Sequence, residues 1–501
     1  MDWEEYKKWG KKGIDWGYDY RKNLRKLPVR SQLNPGDVFN KIPNEPPEKP
    51  EKIEKIINDF EQLIMPGITH WQHPRFFSYF PSNAAPSSVL AEIFTNTMSP
   101  MCMLWQTSPA ATELEEKIID WFKISLGLPM GFNGVIQDSA TSATLSAVLT
   151  MREKALNWSG NQKGLFNQKS LRIYVSTEAH VSIDRSIWFS GIGEENLIKI
   201  PVKGELRSMD TNILSQKIQQ DKEAGYVPAG IIGVVGGTSC GSTDNINEVI
   251  KIAHKEGLYL HIDAAWAGSA MICEEYRNLW QGISEADSIV FNPYKWMGAQ
   301  FDCSIHFLKD ISLQKMTLTN VPEYLKTSGI ENITNLSELT IPLGRRFRAL
   351  KIWFLLRSEG LEKLRKMIRN HIKWSNNLYK KLKNLEGIEI VTPPILSLFT
   401  FRFVNKECDS SFEGKITIPE DVVKCESHML NKNILLDDES DAFAKPELDI
   451  NNDDVICTHG CTIGALDEDH MFYLQSRGYT IEEATEILVE AFAHIRTQEH
   501  I

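Results

Sequence analysis

The chain has 501 residues, 42% of them hydrophobic and 24% charged, with a formal net charge of −11. It is long enough for two or more domains and has the make-up of a soluble globular protein, and its acidic balance argues against a nucleic-acid partner. The eight cysteines are too few for a disulfide framework, and they favour a reducing, cytoplasmic compartment.

The charged start, MDWEEYKKWGKK, has no apolar signal-peptide core. Apolar residues at helical spacing predict an amphipathic helix over the first 23 or so residues. The stretch NEPPEKPEK (44–52) is a break, and KIEKIINDFEQLI predicts a second helix after it. From about 110 to 310, helical patterns alternate with short runs rich in β-branched residues: LRIYVS (171–176), AGIIGVVG (229–236), LYLHID (258–263) and SIVFN (288–292). That alternation predicts an α/β fold with a mostly parallel sheet and crossover helices. Apolar runs such as IIGVV (231–235) fall far below the ~18 residues a membrane span needs, so no membrane association is expected. LSLFTFRFVN (396–405) predicts a further strand, after which the texture changes near residue 406.

Several strands end in residues that chemistry could use, and in open α/β sheets the site lies outside the carboxyl ends of the strands. In FNPYKW, Lys295 follows a strand and an Asn-Pro turn between Tyr294 and Trp296. A lone lysine there is usually a surface lysine, but apolar flanks also keep an amine neutral and nucleophilic. In HIDAAWAGSA, Asp263 ends an apolar strand. It reads either as a helix cap or as the partner of a protonated ring nitrogen. Ala265, two residues on, faces the same side if the segment stays extended, leaving room for a flat ring. GVIQDSATSATLSA reads as strand, turn and helix start, so Ser139, Ala140 and Thr141 could hold a phosphate at the helix N-terminus, as any N-cap could. His180 and Thr238 are unremarkable when taken singly.

Taken together and in order, these motifs resemble the group II pyridoxal-phosphate (PLP) decarboxylases, in the aromatic-L-amino-acid decarboxylase branch. The resemblance runs from EEYKKWGKK through IINDFEQLIMPGITHWQHPRFFSYFPS, SPAATELEEKIIDW and IPLGRRFRALKIWF to LSLFTFRF, over about residues 1–405. It implies a fold-type-I (aspartate aminotransferase-like) enzyme, a lyase that converts an aromatic L-amino acid to its amine and CO2. It also implies catalytic roles for Lys295 as the internal-aldimine lysine, His180 stacked on the cofactor ring, and Tyr324 on a mobile loop returning a proton. Cofactor contacts are implied for Ser139, Ala140, Thr141, His180, Thr238, Asp263, Ala265, Asn292 and Lys295. The substrate would be lined by Trp71, Tyr79, Phe80, Pro81 and Phe301, with Met101 and Met103 from the second subunit of a homodimer that shares its active sites. Gly344, in IPLGRRFR, resembles the small-residue variant that admits indole-sized substrates. Two positions depart from the family pattern: Tyr294 replaces the usual histidine, and Asp138 stands where glycine is common, beside the phosphate turn. An acid there is unfavourable unless it points away.

The tail resembles the C-terminal end of SufD-type iron–sulfur cluster assembly proteins over about 410–497, through KPELDINNDDVICTHGCTIG and the segments around it. The resemblance implies β-helix strands, a helical region and a SufB-like partner. Cys457, His459 and Cys461 share a face if that run is a strand, so they are weak metal-ligand candidates or ordinary interior residues. The expected divisions are a helical dimerisation segment (1–80), a large PLP-binding domain (81–370), a partial small C-terminal domain (371–407) and a SufD-like segment (408–501). The alternatives to a decarboxylase are an iron–sulfur assembly protein and an inactive fusion.

Overall fold

In the computed structural model, the residues described are 1–77, 79–80, 84–319, 333–404 and parts of 468–489, with 409–418, 425–435, 441–450 and 455–465 described as backbone. Helix α1 spans Trp3–Asn23; Asp2 caps it by accepting from the Glu5 N–H at 2.8 Å. Glu4 and Glu5 in the first turn and Arg21 and Lys22 in the last complement its dipole. None of its residues is buried. The second expected helix is shorter than its apolar pattern: α2 covers Ile53–Asp59, and Phe60–Ile64 widens into a π-turn before a 3-10 turn at Met65–Gly67. Pro66, which has no N–H to donate, stops the α-helical ladder there. Helices α3 (Pro86–Met98) and α4 (Pro109–Leu126) both begin on a proline, the residue best suited to the first helical position.

The central sheet has seven strands: β1 (Asn133–Gln137), β2 (Leu171–Ser176), β3 (Leu197–Ile200), β6 (Val227–Val234), β7 (Tyr259–Asp263), β8 (Ser288–Phe291) and β9 (Ser304–Leu308). Their order across the sheet is β1-β9-β8-β7-β6-β2-β3. From β8 to β3 neighbours run parallel, whereas β9 is antiparallel to both β1 and β8. The small hairpin β4 (Val202–Lys203) and β5 (Ser208–Met209) stands outside it. Connecting helices are α5 (Ala140–Ala155), α6 (Gly160–Lys163), α7 (Ser182–Ser190), α8 (Thr211–Glu223), α9 (Ile246–Glu256), α10 (Pro293–Trp296) and α11 (Ile311–Leu318).

Successive side chains on a strand point to opposite faces, so the sheet has a core on each side. Phe122, Tyr174, Ile231, Ile262 and Phe291 belong to one; Met151, Ile173, Val175, Ile232 and Tyr259 belong to the other. This is why the inner strands read as unbroken apolar runs rather than as alternating patterns. Helix α5 lies very close to the sheet: a Cβ on Gly230 would meet Met151 Sδ at 2.5 Å and the Tyr259 carbonyl oxygen at 2.9 Å.

The long helix α12 (Arg348–Leu382) is broken at Gly360, whose φ is +68°. Strands β10 (Ile388–Ile395) and β11 (Leu398–Phe403) form a two-stranded sheet. The chain divides into two compact units, residues 1–380 with 392–400, and residues 381–391 with 401–501. In the second unit, β12 (Asp409–Ile418) pairs in parallel with β14 (Asp441–Ile450), and β13 (Cys425–Leu435) pairs in parallel with β15 (Val455–Ala465). Each strand finds its partner two strands later, which is the connectivity of two turns of a β-coil. Helix α13 (Glu468–Ser476) follows. No described helix is long and apolar enough to cross a membrane.

Candidate active site

The site forms where β2, β6, β7 and β8 end. Asp263 is the last residue of β7 and only 7% exposed. One carboxylate oxygen accepts the Ala265 N–H at 3.0 Å. That bond turns the chain at once, so the expected extended run from Asp263 to Ala265 is not found; Ala265 instead sits in the turn, and its carbonyl accepts the Asn292 N–H at 2.7 Å. The Asx-type turn captures the backbone before a further strand residue can pair. Among the described residues, no cationic side chain forms an ion pair with Asp263, so a buried carboxylate is left facing the site.

Lys295 lies on the short helix α10, one turn after β8. Burial pulls its amine below the usual lysine pKa, while Asp263 pulls the other way. Its Nζ stands 5.4 Å from the centre of the Phe80 ring. Phe80 in turn stacks on Trp266 (5.3 Å, 20° between planes), and Trp266 adjoins Trp296, whose Nε1–H donates to His371 Nδ1 at 3.0 Å. These rings wall in the lysine on one side.

His180 follows β2. The Ser182 backbone N–H donates to its Nδ1 at 3.2 Å, and the Ser182 hydroxyl lies 2.8 Å from the same nitrogen. A nitrogen that accepts an N–H carries no proton, so the neutral ring holds its proton on Nε2. Although His180 is partly open to solvent, burial is the largest influence on it and lowers its pKa; Asp263 raises it and Lys295 lowers it further. The lysine, the aspartate and the histidine therefore act on one another electrostatically.

The phosphate turn takes the form expected of a helix start. Ser139 caps α5 by accepting the Ser142 N–H at 3.2 Å, and its hydroxyl donates to Asp138 at 3.1 Å. The first-turn N–H groups of Ala140 and Thr141 have no partner among the described residues, as at any helix start. Asp138 lines a small cleft with Gly344, Arg345 and Arg348, where Arg345 is paired with Glu115 and Arg348 with Asp302. Thr238 sits exposed in the turn after β6. Asn292 has both ends of its side chain engaged: its Nδ2 donates to the Tyr294 hydroxyl at 3.1 Å, and its Oδ1 accepts from Ser304 at 2.7 Å. Tyr294, the departure from the family pattern, thus acts as a brace for Asn292.

Of the expected substrate-lining residues, Trp71 and Tyr79 stack on each other at 5.5 Å, and Phe301 packs edge-on to Tyr294 at 5.0 Å. Met101 and Gly344 meet each other, with the Met101 sulfur 3.9 Å from where a Gly344 Cβ would stand. The Met103 carbonyl accepts the Ser337 N–H. Pro81, Tyr324 and the side chains of Cys457, His459 and Cys461 lie outside the described residues. Sequence reasoning passed over Trp266, Ser182 and Glu178. Trp266 stood in the same HIDAAWAG run as Asp263; the other two become visible only through their partners in space.

These groups suit PLP: a desolvated amine for its aldehyde, a lone buried carboxylate for its ring nitrogen, a histidine for its ring face, and free helix-start N–H groups for its phosphate. Residues 35–404 match the model of the pyridoxal-dependent decarboxylase conserved domain. The chain belongs to this family. This decarboxylase is 39% identical to the aromatic-L-amino-acid decarboxylase of Mus musculus over 416 residues, 80% of this chain and 86% of that protein. It is 36% identical to the phenylacetaldehyde synthase of Arabidopsis thaliana, over 82% of this chain and 86% of that protein. The crystal structure of Oryza sativa TDC with PLP and tryptamine superposes with a TM-score of 0.78 at 29% identity, covering 80% of this chain and 84% of that one. The decarboxylase is thus a fold-type-I, PLP-dependent carboxy-lyase. Residues 402–492 match a second model, the SUF system FeS cluster assembly, SufBD core domain.

Proposed function

We propose that the decarboxylase converts an aromatic L-amino acid to the corresponding amine and CO2. The observation that carries this is the meeting of Lys295, Asp263 and His180, with their mutual electrostatic influence, at the ends of β8, β7 and β2. When bound, PLP supplies the electron sink for the bond that breaks as CO2 leaves. Lys295 would hold it covalently. Asp263 would keep its ring nitrogen charged, and Ala265 would leave space for the ring. The N–H groups of Ala140 and Thr141 would bind the phosphate, with Ser139 holding that turn in place and Thr238 lying against the cofactor. Asn292, fixed by Tyr294 and Ser304, sets the start of α10 and so the position of Lys295.

His180 presents Nε2–H to the substrate. A donor there would hold the substrate's α-carboxylate in the orientation needed for CO2 to leave. Tyr324 would return the proton to Cα. Trp71, Tyr79, Phe80, Pro81 and Phe301 would receive the aromatic side chain, with Met101, Met103 and Gly344 shaping its far end, where Gly344 favours indole-sized groups. In this reading the enzyme is a cytoplasmic homodimer.

Incubating the purified protein with tryptophan, tyrosine, phenylalanine and their hydroxylated forms, and reading the products by mass spectrometry, tests the reading. Amines support it. No product overturns it, and an aldehyde product would place the chain's chemistry with that of phenylacetaldehyde synthases. The SufBD match and the parallel β-coil favour a second role for the tail, docking a SufB-like partner. Copurification of SufB that is lost on removing residues 408–501 supports that role; no capture by the full chain overturns it.

A further inference from the structure

Two active-site segments are joined at a point the decarboxylation chemistry leaves unused. Glu178 lies two residues before His180, just after β2. Its carboxylate accepts from Arg207 Nε at 3.0 Å and from Arg207 Nη2, from the Ser239 hydroxyl at 3.3 Å, and from Cys240 Sγ at 3.4 Å. Ser239 and Cys240 directly follow Thr238. Arg207 stands at the tip of the β4–β5 hairpin with a left-handed φ of +46°. That conformation is costly for a residue with a side chain and persists only where surroundings enforce it. The hairpin is itself anchored to the far end of the same turn, since the Thr243 N–H donates to the Leu206 carbonyl at 2.9 Å and Ser208 Oγ donates to the Thr243 carbonyl at 2.5 Å. Behind them the backbones almost touch: a Cβ on Gly237 would collide with Ser242 Oγ and lie 3.2 Å from the Glu178 carbonyl oxygen.

We infer that Glu178 is a positioning residue, whose carboxylate, held by Arg207, fastens the loop that carries His180 to the turn that carries Thr238. The inference rests on the decarboxylase reading of His180 and Thr238. Four hydrogen bonds converge on one carboxylate, and two of them come from a cationic donor, the strongest pairing of the set. Burial pushes its pKa up, but the donors of Arg207, Cys240 and Ser239 together bring it below the ordinary glutamate value, so the group is an anion throughout the neutral range. Neither Glu178 nor Arg207 needs to touch substrate. Their effect is to fix the distance between a ring-facing imidazole and a threonine across the cofactor cleft, where displacements of about 1 Å can cost about a hundredfold in rate.

The test uses the full-length holoenzyme with L-tryptophan and L-tyrosine as probes. Glu178→Ala is expected to lower kcat by about tenfold or more while KM stays within about twofold, the signature of lost alignment rather than lost binding. Arg207→Ala should give a similar loss, and the double variant should be no slower than either single one, because both break the same joint. Glu178→Gln keeps acceptor oxygen and should recover most of the rate. Hydrogen exchange should quicken together in residues 177–182 and 237–241 of Glu178→Ala. An unchanged kcat in Glu178→Ala, or losses that multiply in the double variant, overturns the inference. The exchange measurement separates its failure from that of the functional reading: a native protein that makes no amine refutes the decarboxylase, whereas unchanged exchange in Glu178→Ala refutes the joint alone.

Discussion

Lys295 differs from an ordinary lysine in where its amine ends up. Burial lowers its proton affinity, and Phe80 and the tryptophans beside it keep water away. Lys295→Ala should abolish both the borohydride-sensitive absorbance of the bound cofactor and amine production, without shifting the melting temperature of the cofactor-free protein. His180 is also displaced downward, by burial first, so it stays neutral below its ordinary value of 6.5. The acid limb of the kcat profile should accordingly lie below pH 6.5, and His180→Gln should remove it; an unmoved limb in that variant assigns it to another group. Asp244 behaves in the opposite sense. It is fully buried, accepts the N–H groups of Met209 and Val234, and its pKa is pushed up by burial to about 6 from 3.8. A raised pKa means the folded state holds the proton more tightly. Its contribution is therefore fully present below 3.8 and is lost as pH rises through 6, on the order of 3 kcal/mol in all. Urea titrations at pH 5 and 7 should show this slope in the native protein and a flatter one in Asp244→Asn. Lys295 and Asp263 were legible in sequence because Asp263 ends a strand and Lys295 lies one turn beyond another, where side chains meet the site. Ser182 and Glu178 were not, because their roles depend on which atoms face them: a serine after a histidine says nothing about which imidazole nitrogen will accept.

At the scale of elements, the inner strands β2, β6, β7 and β8 were readable because both of their faces are buried, and their composition shows it. The reversal at β9 was not, since antiparallel and parallel partners draw on the same apolar residues, and the choice depends on the length and path of the connections. The turn at Asp263 was missed for a related reason: an aspartate can continue a strand or bend it, and the Ala265 N–H decides. The seating of α5 yields a prediction of its own. Gly230 leaves no space for a side chain beneath Met151, so Gly230→Ala should cost about 1–3 kcal/mol of stability by overpacking. It should also weaken PLP binding, because the same helix presents its start to the phosphate. Thermal melts with and without PLP would show a smaller cofactor-induced stabilisation than in the native protein; an equal one would separate the helix seat from the phosphate site. Helix α1 lacks any buried residue, which fits a role at a subunit interface. We propose that it pairs there with a second copy of the chain, and deleting residues 1–23 is then expected to leave a monomer in light scattering; an unchanged mass overturns that pairing.

At the scale of the whole chain there are two compact units, and residues 35–404 match one family while 402–492 match another. The junction was visible in sequence as a change of texture near residue 406, because a polar irregular stretch there interrupts both patterns. Calorimetry is expected to show two separable transitions, with only the one assigned to the first unit shifting on addition of PLP; a single transition, moved as a whole by PLP, would show that the units unfold together. The reversed strand also governs the order in which the molecule can be made. Because among the described residues β1 pairs only with β9, Asn133 must wait for Leu308 before it has a partner. During synthesis the strand leading into the phosphate turn is therefore an unpaired edge until most of the first unit has left the ribosome. The growing chain cannot retain its cofactor before that point, and over that interval it depends most on whatever shields nascent strands from one another.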